Sequence, residues 1–192
     1  ATYGVPHDGL RVAVLDIGGG STECAVGRDG LLLDLRSIEV GSVRLAERFP
    51  ALLGESAGAP AHAAAKEARV AIAGMLGPLH ALRPVAALRC VAGTPLTIAA
   101  VIAASHVDRV SGSRLSLAEL DATIDRLLDL HLEERRVLAG MLAQRADIIV
   151  GGALVLSEAF RALEIETGLL ESNDLLLGYL LMQRDRDDAR TK

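Results

Sequence analysis

The stretch Asp16-Ile17-Gly18-Gly19-Gly20-Ser21-Thr22-Glu23 decides how the rest of this 192-residue chain is read. Ahead of the glycines, Val12 to Ile17 is an apolar run with β-branched members. Such a run reads as a central strand, buried on both faces. Thr22 to Gly27 reads as a second strand, and Asp29-Gly30 is a strong hairpin turn into a third, Leu31 to Val40. Along that third strand Leu33 and Leu35 keep one alternation, while Ile38 and Val40 keep the other. A β-bulge near Ser37 is the expected cause. The opening is thus a three-stranded antiparallel meander.

The same stretch carries chemistry. Three consecutive glycines permit positive φ and let the backbone approach a ligand closely. Successive N–H groups in such a turn form an anion-binding concavity, and Ser21 and Thr22 add hydroxyl donors. If Gly18 to Ser21 form the loop, Ile17 stands opposite Thr22 and Asp16 opposite Glu23. Directly opposed residues have Cβ atoms roughly 4.5–5.5 Å apart. Two carboxylates there repel unless a cation or a shared proton relieves them. A Mg²⁺ ion held through water, together with substrate phosphates, would do so. One carboxylate then positions or deprotonates an attacking water while the other holds the metal. The plain alternative is a glycine-rich hairpin with two solvated acids.

Outward from the hairpin, Ser42 is placed to cap a short helix through Phe49. Residues 51–60 read as a Gly/Ala-rich loop, and 61–82 as a helix disturbed at Gly74 and Gly77-Pro78. Ala87 to Ala92 reads as a fourth strand. It turns at Gly93-Thr94-Pro95 into a helix reaching about Ala104, with Pro95 at a tolerated first-turn position. A strand that ends in a Gly-Thr turn before a helix is a second candidate anion site. Taken alone the signal is weak, and an ordinary capped turn is the favoured explanation. Ser116 and Glu119 form a capping box. Behind it Leu117, Leu120, Ile124, Leu127 and Leu128 follow the helical period. Further helices are expected over Glu133–Ala139 and Arg145–Leu163, the latter apolar nearly all round and so central. A fifth strand is expected over Glu166–Glu171, then a last helix from Ser172 and Asn173 to about Gln183.

Composition narrows the function classes. Hydrophobic residues make up 51% and charged residues 23%, which excludes a disordered tail. Aromatics are only 2%, so a stacking platform is hard to build, which counts against single-stranded nucleic-acid modules. The net charge of −5 argues against a broad basic nucleic-acid surface. The apolar stretches Pro95–Ala104 and Ile148–Leu156 are far shorter than the ~20 residues a membrane span needs. The first ten residues do not form a signal peptide. Two Cys do not make a disulfide framework and suit a reducing compartment, so the expected location is cytoplasmic.

The order β-β-β-α-β-α-(helices)-β-α is that of a ribonuclease H-like lobe, the α/β unit of the actin-like ATPase superfamily. Within it the chain resembles the exopolyphosphatase / guanosine-pentaphosphate phosphohydrolase family. That family carries D-I-G-G-G-S-T-E, then G-x-V-R-L-x-E-R-F, matched by Gly41-Ser42-Val43-Arg44-Leu45-Ala46-Glu47-Arg48-Phe49. A G-G-T-x-T-T-L-A turn is resembled by Ala92 to Ala99, with Ala92 in place of the first Gly. An E-R-A-D-x-I-x-x-G-A helix is resembled by Gln144-Arg145-Ala146-Asp147-Ile148 to Gly152-Ala153, and a terminal segment by Ser172 to Gly178. The five segments fall in order between residues 11 and 181.

The resemblance implies hydrolysis of a terminal phosphoanhydride, with Mg²⁺, on inorganic polyphosphate or guanosine pentaphosphate. On it, Gly18, Gly19, Gly20, Ser21 and Thr22 cradle phosphate. Glu23 orients the attacking water and shares the metal with Asp16, which holds it through water. Gly93 and Thr94 bind a further phosphate, and Arg145 contacts the chain. Family members open with another lobe and a D-x-G-S-N-S-like loop. The expectation is therefore that residues 1–192 are the second, C-terminal lobe only, with a helical insertion near 111–145. The N-terminal lobe is then absent, and the piece alone is inactive. The apolar interface left by that lobe favours association as a homodimer. Two other readings stay open: a regulatory module that binds polyphosphate or an alarmone without turnover, and another actin-like phosphotransferase such as a sugar or acid kinase.

Remaining candidates are weaker. His7, His62, His80, His106 and His131 show no pair at metal-site spacing. Cys24 and Cys90 read as packed thiols, and Ser21 lacks a hydrolase elbow. Arg135 and Arg136, after Glu133 and Glu134, read as a solvated salt-bridged face. Arg44, Arg48, Arg109 and Arg114 are further cations a polyphosphate could meet.

Overall fold

The computed structural model describes residues 8–172. Its centre is a six-stranded mixed sheet of order β3-β2-β1-β4-β6-β5. β1 (Val12–Ile17), β2 (Thr22–Arg28) and β3 (Leu31–Ile38) form the antiparallel meander. β4 (Ala87–Val91) runs parallel to β1, and β6 (Thr167–Leu170) runs parallel to β4. β5 (Arg114–Ser116) closes the far edge, antiparallel to β6. The fold is ribonuclease H-like, as the element order implied. The final helix expected after Ser172 lies outside the described residues.

β1 pairs with β2 on one side and β4 on the other, and its alternate residues Ala13, Leu15 and Ile17 are all buried on the core face. Helix α6 (Ile149–Leu163) lies at the centre of the helical layer, and only Arg161 along it escapes burial. Around it pack α1 (Ser42–Arg48), α2 (Ala59–Met75), α3 (Gly93–Ile102) and α4 (Leu117–Leu128). α5 (Leu132–Arg136) is a short piece beyond α4. With almost no aromatic residues, the core is leucine, isoleucine, valine and alanine, with Phe160 the main exception. Close packing of such small chains needs close helices, and Gly151 of α6 supplies that: a Cβ there would lie 2.9 Å from the Ser42 carbonyl of α1.

Five local expectations are corrected. The bulge falls not at Ser37 but at Leu33, left over between the pairs Val26↔Asp34 and Gly27↔Leu32. Ser37 pairs regularly with Glu23, and alternation runs unbroken from Asp34 to Val40; Leu33 and Leu35 simply lie on the exposed face. The segment near 111–145 is not all helical, since β5 begins it, and three residues are too few to show a period. α6 starts at Ile149 rather than Arg145, because the Asp147 carboxylate takes the N–H of Ile148 and a 3₁₀ turn fills Ala143–Arg145. Ser42 does not cap α1 with its side chain; Gly41 is the N-cap. Arg135 is not on a solvated face. It is fully buried, donating from Nε to the Leu127 and Leu130 carbonyls and from Nη1 to that of Leu52. Burial holds its guanidinium down to about 10. Only Arg136 forms the expected exposed pair, with Glu133.

The capping box at Ser116 and Glu119 and the break at Gly77-Pro78 stand as read. At the β3 edge Leu35 donates its N–H to Asp34 Oδ1 at 2.8 Å, and Arg36 Nη1 donates to the Leu35 carbonyl at 3.1 Å. These side chains blunt an edge that carries exposed Leu31, Leu32, Leu33 and Leu35. Among the described residues, no helix is long and apolar enough to cross a membrane.

Candidate active site

The hairpin between β1 and β2 closes with Gly18 N–H donating to the Ser21 carbonyl at 2.9 Å. It puts Asp16 opposite Glu23 and Ile17 opposite Thr22, the register read from the sequence. None of Gly18, Gly19 and Gly20 has positive φ, however. Glycine is needed here for closeness. A Cβ on Gly18 would lie 3.2 Å from the Ser21 carbonyl oxygen, and one on Gly19 would lie 3.2 Å from Val43 Cγ2.

The residue that fixes the loop is Gly41. A Cβ there would fall 2.5 Å from the Gly19 carbonyl oxygen and 2.7 Å from that of Gly18. With no side chain in the way, the first turn of α1 docks on the hairpin. The N–H of Ser42 donates to Gly18 O at 3.0 Å; those of Val43 and Arg44 donate to Gly19 O at 2.9 and 3.1 Å. Ser42 Oγ adds a longer contact to Gly18 O at 3.3 Å. A helix start normally leaves such donors unsatisfied; here the loop carbonyls satisfy them. The lock takes the carbonyls and leaves the amides. The N–H groups of Gly19, Gly20 and Ser21 have no backbone partner among the described residues, and Gly19 and Gly20 are exposed. Three consecutive amides of the turn are thus left without backbone partners, as an anion site would require, and without any unusual φ.

Glu23 is half-buried and accepts from Ser37 Oγ at 2.7 Å. Ser37 faces it across β2 and β3, so the register that the bulge argument misread is what orients this carboxylate. Thr22 belongs to the scaffold: fully buried, its hydroxyl donates to the Val40 carbonyl at 2.6 Å and is withdrawn from the phosphate set. Asp16 and Glu23 share one face of the sheet. Among the described residues, no group of three or more His, Cys, Asp or Glu could hold a metal. Two carboxylates still fit Mg²⁺, which is bound through one or two carboxylates, waters and substrate phosphates. Cys24 has no catalytic role, since it is fully buried and burial pushes its thiol up to about 12.

The second turn stands beside the first, because the parallel register Asp16↔Val91 makes β1 and β4 exit together. Ligands of α/β sheets sit at such carboxyl ends. Gly93 and Thr94 open α3 with N–H groups that meet no backbone carbonyl among the described residues. Arg145 lies flush on Gly93: a Cβ there would come 2.3 Å from Arg145 Cζ. The structure thus joins two segments far apart in sequence. The backbone of Arg145 is bonded, its N–H donating to the Leu142 carbonyl at 2.8 Å and its carbonyl accepting from Ile148, while its guanidinium has no hydrogen bond or ion pair among the described residues. Thr94 turns its side chain inward, 1% exposed, against Gly152. A Cβ on Gly152 would lie 2.7 Å from Thr94 Oγ1 and 3.2 Å from Ser42 Cβ, so this glycine ties the two turns together.

Gly41, Ser37 and Gly152 are the site residues that the sequence reading missed. Gly41 and Gly152 were visible inside matched segments, but their steric role needs the docked helices. The chain matches the Ppx/GppA phosphatase family over residues 1–176. It is 32% identical to exopolyphosphatase 2 of Mycobacterium tuberculosis, over 90% of this chain and 56% of that protein. A crystal structure of the Aquifex aeolicus Ppx/GppA phosphatase (type II variant) superposes with a TM-score of 0.82 at 23% identity, covering 94% of this chain and 59% of that one. An exopolyphosphatase from Cytophaga hutchinsonii superposes with a TM-score of 0.76 at 22% identity, covering 96% and 60%. The chain spans about half the length of the curated relatives it matches. Its match over most of its residues places it in the Ppx/GppA phosphatase family.

Proposed function

We propose that this lobe binds the terminal phosphoryl groups of inorganic polyphosphate or guanosine pentaphosphate. In the longer protein it forms one wall of a cleft where the terminal phosphoanhydride is hydrolysed. The observation that carries this reading is the amide concavity of Gly19, Gly20 and Ser21, locked by α1 beside the opposed pair Asp16 and Glu23. Polyphosphate is the favoured substrate, because the relative from Mycobacterium tuberculosis is named an exopolyphosphatase.

In this reading the concavity holds the terminal phosphoryl oxygens by N–H donation. Glu23, aimed by Ser37, orients a water and accepts its proton as the water oxygen attacks phosphorus. The bridging P–O bond breaks, and the shortened chain departs with that oxygen. Gly93, Thr94 N–H and Arg145 hold the next phosphate. Asp16, through water, and Glu23 are the residues that would hold a Mg²⁺ ion, which would supply positive charge to the phosphoryl oxygens. The complementary wall is an N-terminal lobe, so the 192-residue piece alone has little or no phosphatase activity. Buried, unpaired Cys24 and Cys90 support a reducing, cytoplasmic location.

Glu23→Gln in the full-length protein tests the reading. Turnover of polyphosphate should fall about 10²- to 10⁴-fold, the usual weight of a general base. The melting temperature should hold, since the amide oxygen still accepts from Ser37 and repulsion with Asp16 is relieved. A variant that keeps its rate, or that unfolds, removes Glu23 from the chemistry. Brisk phosphate release by the 192-residue piece would remove the need for a second wall. Tight binding by the full-length wild type with no turnover would favour the non-catalytic module instead.

A further inference from the structure

We propose that Arg44 is a positioning residue for the phosphate on the hairpin, and that Glu39 competes with that phosphate for the Arg44 guanidinium. The inference rests on the anion-binding reading of the hairpin and adds a residue and a competitor to it. Arg44 is doubly tied to the loop. Its backbone N–H donates to Gly19 O at 3.1 Å, and its side chain folds back so that Nη2 lies 3.9 Å from where a Cβ on Gly20 would sit. A phosphoryl group on the Gly19, Gly20 and Ser21 amides is therefore within reach of this guanidinium.

The side chain is also available. Only Nη1 is engaged, with Glu39 Oε2 at 2.8 Å and a long contact to the Glu39 carbonyl; Nη2 has no partner among the described residues. The pair is open to solvent, the side chains of Arg44 and Glu39 being 52% and 87% exposed. Exposed single-point pairs are weak, whereas a phosphate takes a guanidinium through two parallel N–H donors. Neighbouring arginines are committed elsewhere. Arg36 is held by both carboxylate oxygens of Asp34, and Arg48 stacks 5.5 Å from the Phe49 ring centroid. Glu39 follows Ile38 at the end of β3, on the strand that also supplies Ser37. One strand end thus places the residue that aims Glu23 and the residue that restrains Arg44.

Calorimetric titration of the 192-residue chain with tripolyphosphate, in Mg²⁺ buffer, tests this with Arg44→Ala, Arg44→Lys and Glu39→Gln. Arg44→Ala should bind about tenfold more weakly or worse, as for loss of a charge-assisted phosphate contact. Arg44→Lys should recover part of that, keeping charge without the fork. Glu39→Gln should bind about two- to fivefold more tightly, the value of a lost exposed competitor. A purely structural pair would leave binding unchanged in all three, and that result overturns the proposal while the hairpin reading stands. Weaker binding in Glu39→Gln also overturns it, because the pair then acts as one fixed unit. A wild-type chain that gives no heat with tripolyphosphate overturns the hairpin reading itself, and this inference with it.

Discussion

The turns that follow β1 and β4 lie side by side and offer the same thing, a few backbone amides at the carboxyl end of a strand, yet they are held open differently. The β1 turn has no residue in the left-handed region. Its shape comes from three amides of α1 seated on the Gly18 and Gly19 carbonyls, at the one place where Gly41 lets them approach. The β4 turn has no such lock. Ala92 takes φ 71°, ψ −175°, a region otherwise almost restricted to glycine, and Arg145 presses on Gly93. One turn is rigid through hydrogen bonds. The other keeps its shape at a cost in local strain, with the unbonded Arg145 guanidinium lying against it. On the function proposed above, the first turn would hold the reacting phosphate, which must be fixed, and the second a following phosphate, whose position tolerates adjustment.

Gly41→Ala should break the comparison most severely. The added methyl meets backbone carbonyls at 2.5 and 2.7 Å, atoms that cannot swing away. Either α1 lifts from the hairpin or the hairpin opens. The expected loss is about 3 kcal/mol, the upper end for overpacking a tight contact, together with loss of tripolyphosphate binding. Urea denaturation reads the first and calorimetry the second. A loss below ~1 kcal/mol would show that the two elements slide apart freely, and the β1 turn would then be no more rigid than its neighbour.

The same contrast explains what could be read in advance. The opposition of Asp16 and Glu23 was legible because it is local: a strand, four loop residues and a strand fix the register by counting. The glycine lock was not, since Gly41 acts through a helix docked on a loop, and no period or propensity encodes that approach. Arg135 misled for a similar reason. Its neighbours Glu133, Glu134 and Arg136 are a surface pattern, but the carbonyls it satisfies come from α4, from the following loop and from Leu52. β5 was invisible because a three-residue edge strand is specified by its partner β6 rather than by its own composition. The order of the other strands, by contrast, followed from hydrophobic runs and turn residues alone.

Ala92→Gly should shift the β4 turn toward its neighbour and make the protein more stable. Relief of the strained φ is worth about 1–3 kcal/mol, against roughly 0.4–1 kcal/mol of added freedom in the unfolded chain. A net gain near ~1 kcal/mol raises the melting temperature by about 2–4 °C for a chain of this size. An unchanged or lower melting temperature would mean that Ala92 is not strained and that the two turns are held alike.

Gly93→Ala separates stability from binding and sharpens the contrast furthest. Its methyl would also collide, at 2.3 Å, but with the guanidinium at the far end of Arg145 rather than with backbone. That side chain has no hydrogen bond or ion pair among the described residues to hold it, so it can swing aside. Stability should therefore fall by less than ~0.5 kcal/mol, the usual range for a substitution that disturbs no packed core. The cation is nevertheless displaced from the helix start it covers. Tripolyphosphate should bind several-fold more weakly, as when one charge-assisted contact is misplaced, while a single phosphate, held on the β1 turn alone, should bind as before. Equal weakening for both anions would instead make the two turns one undivided site.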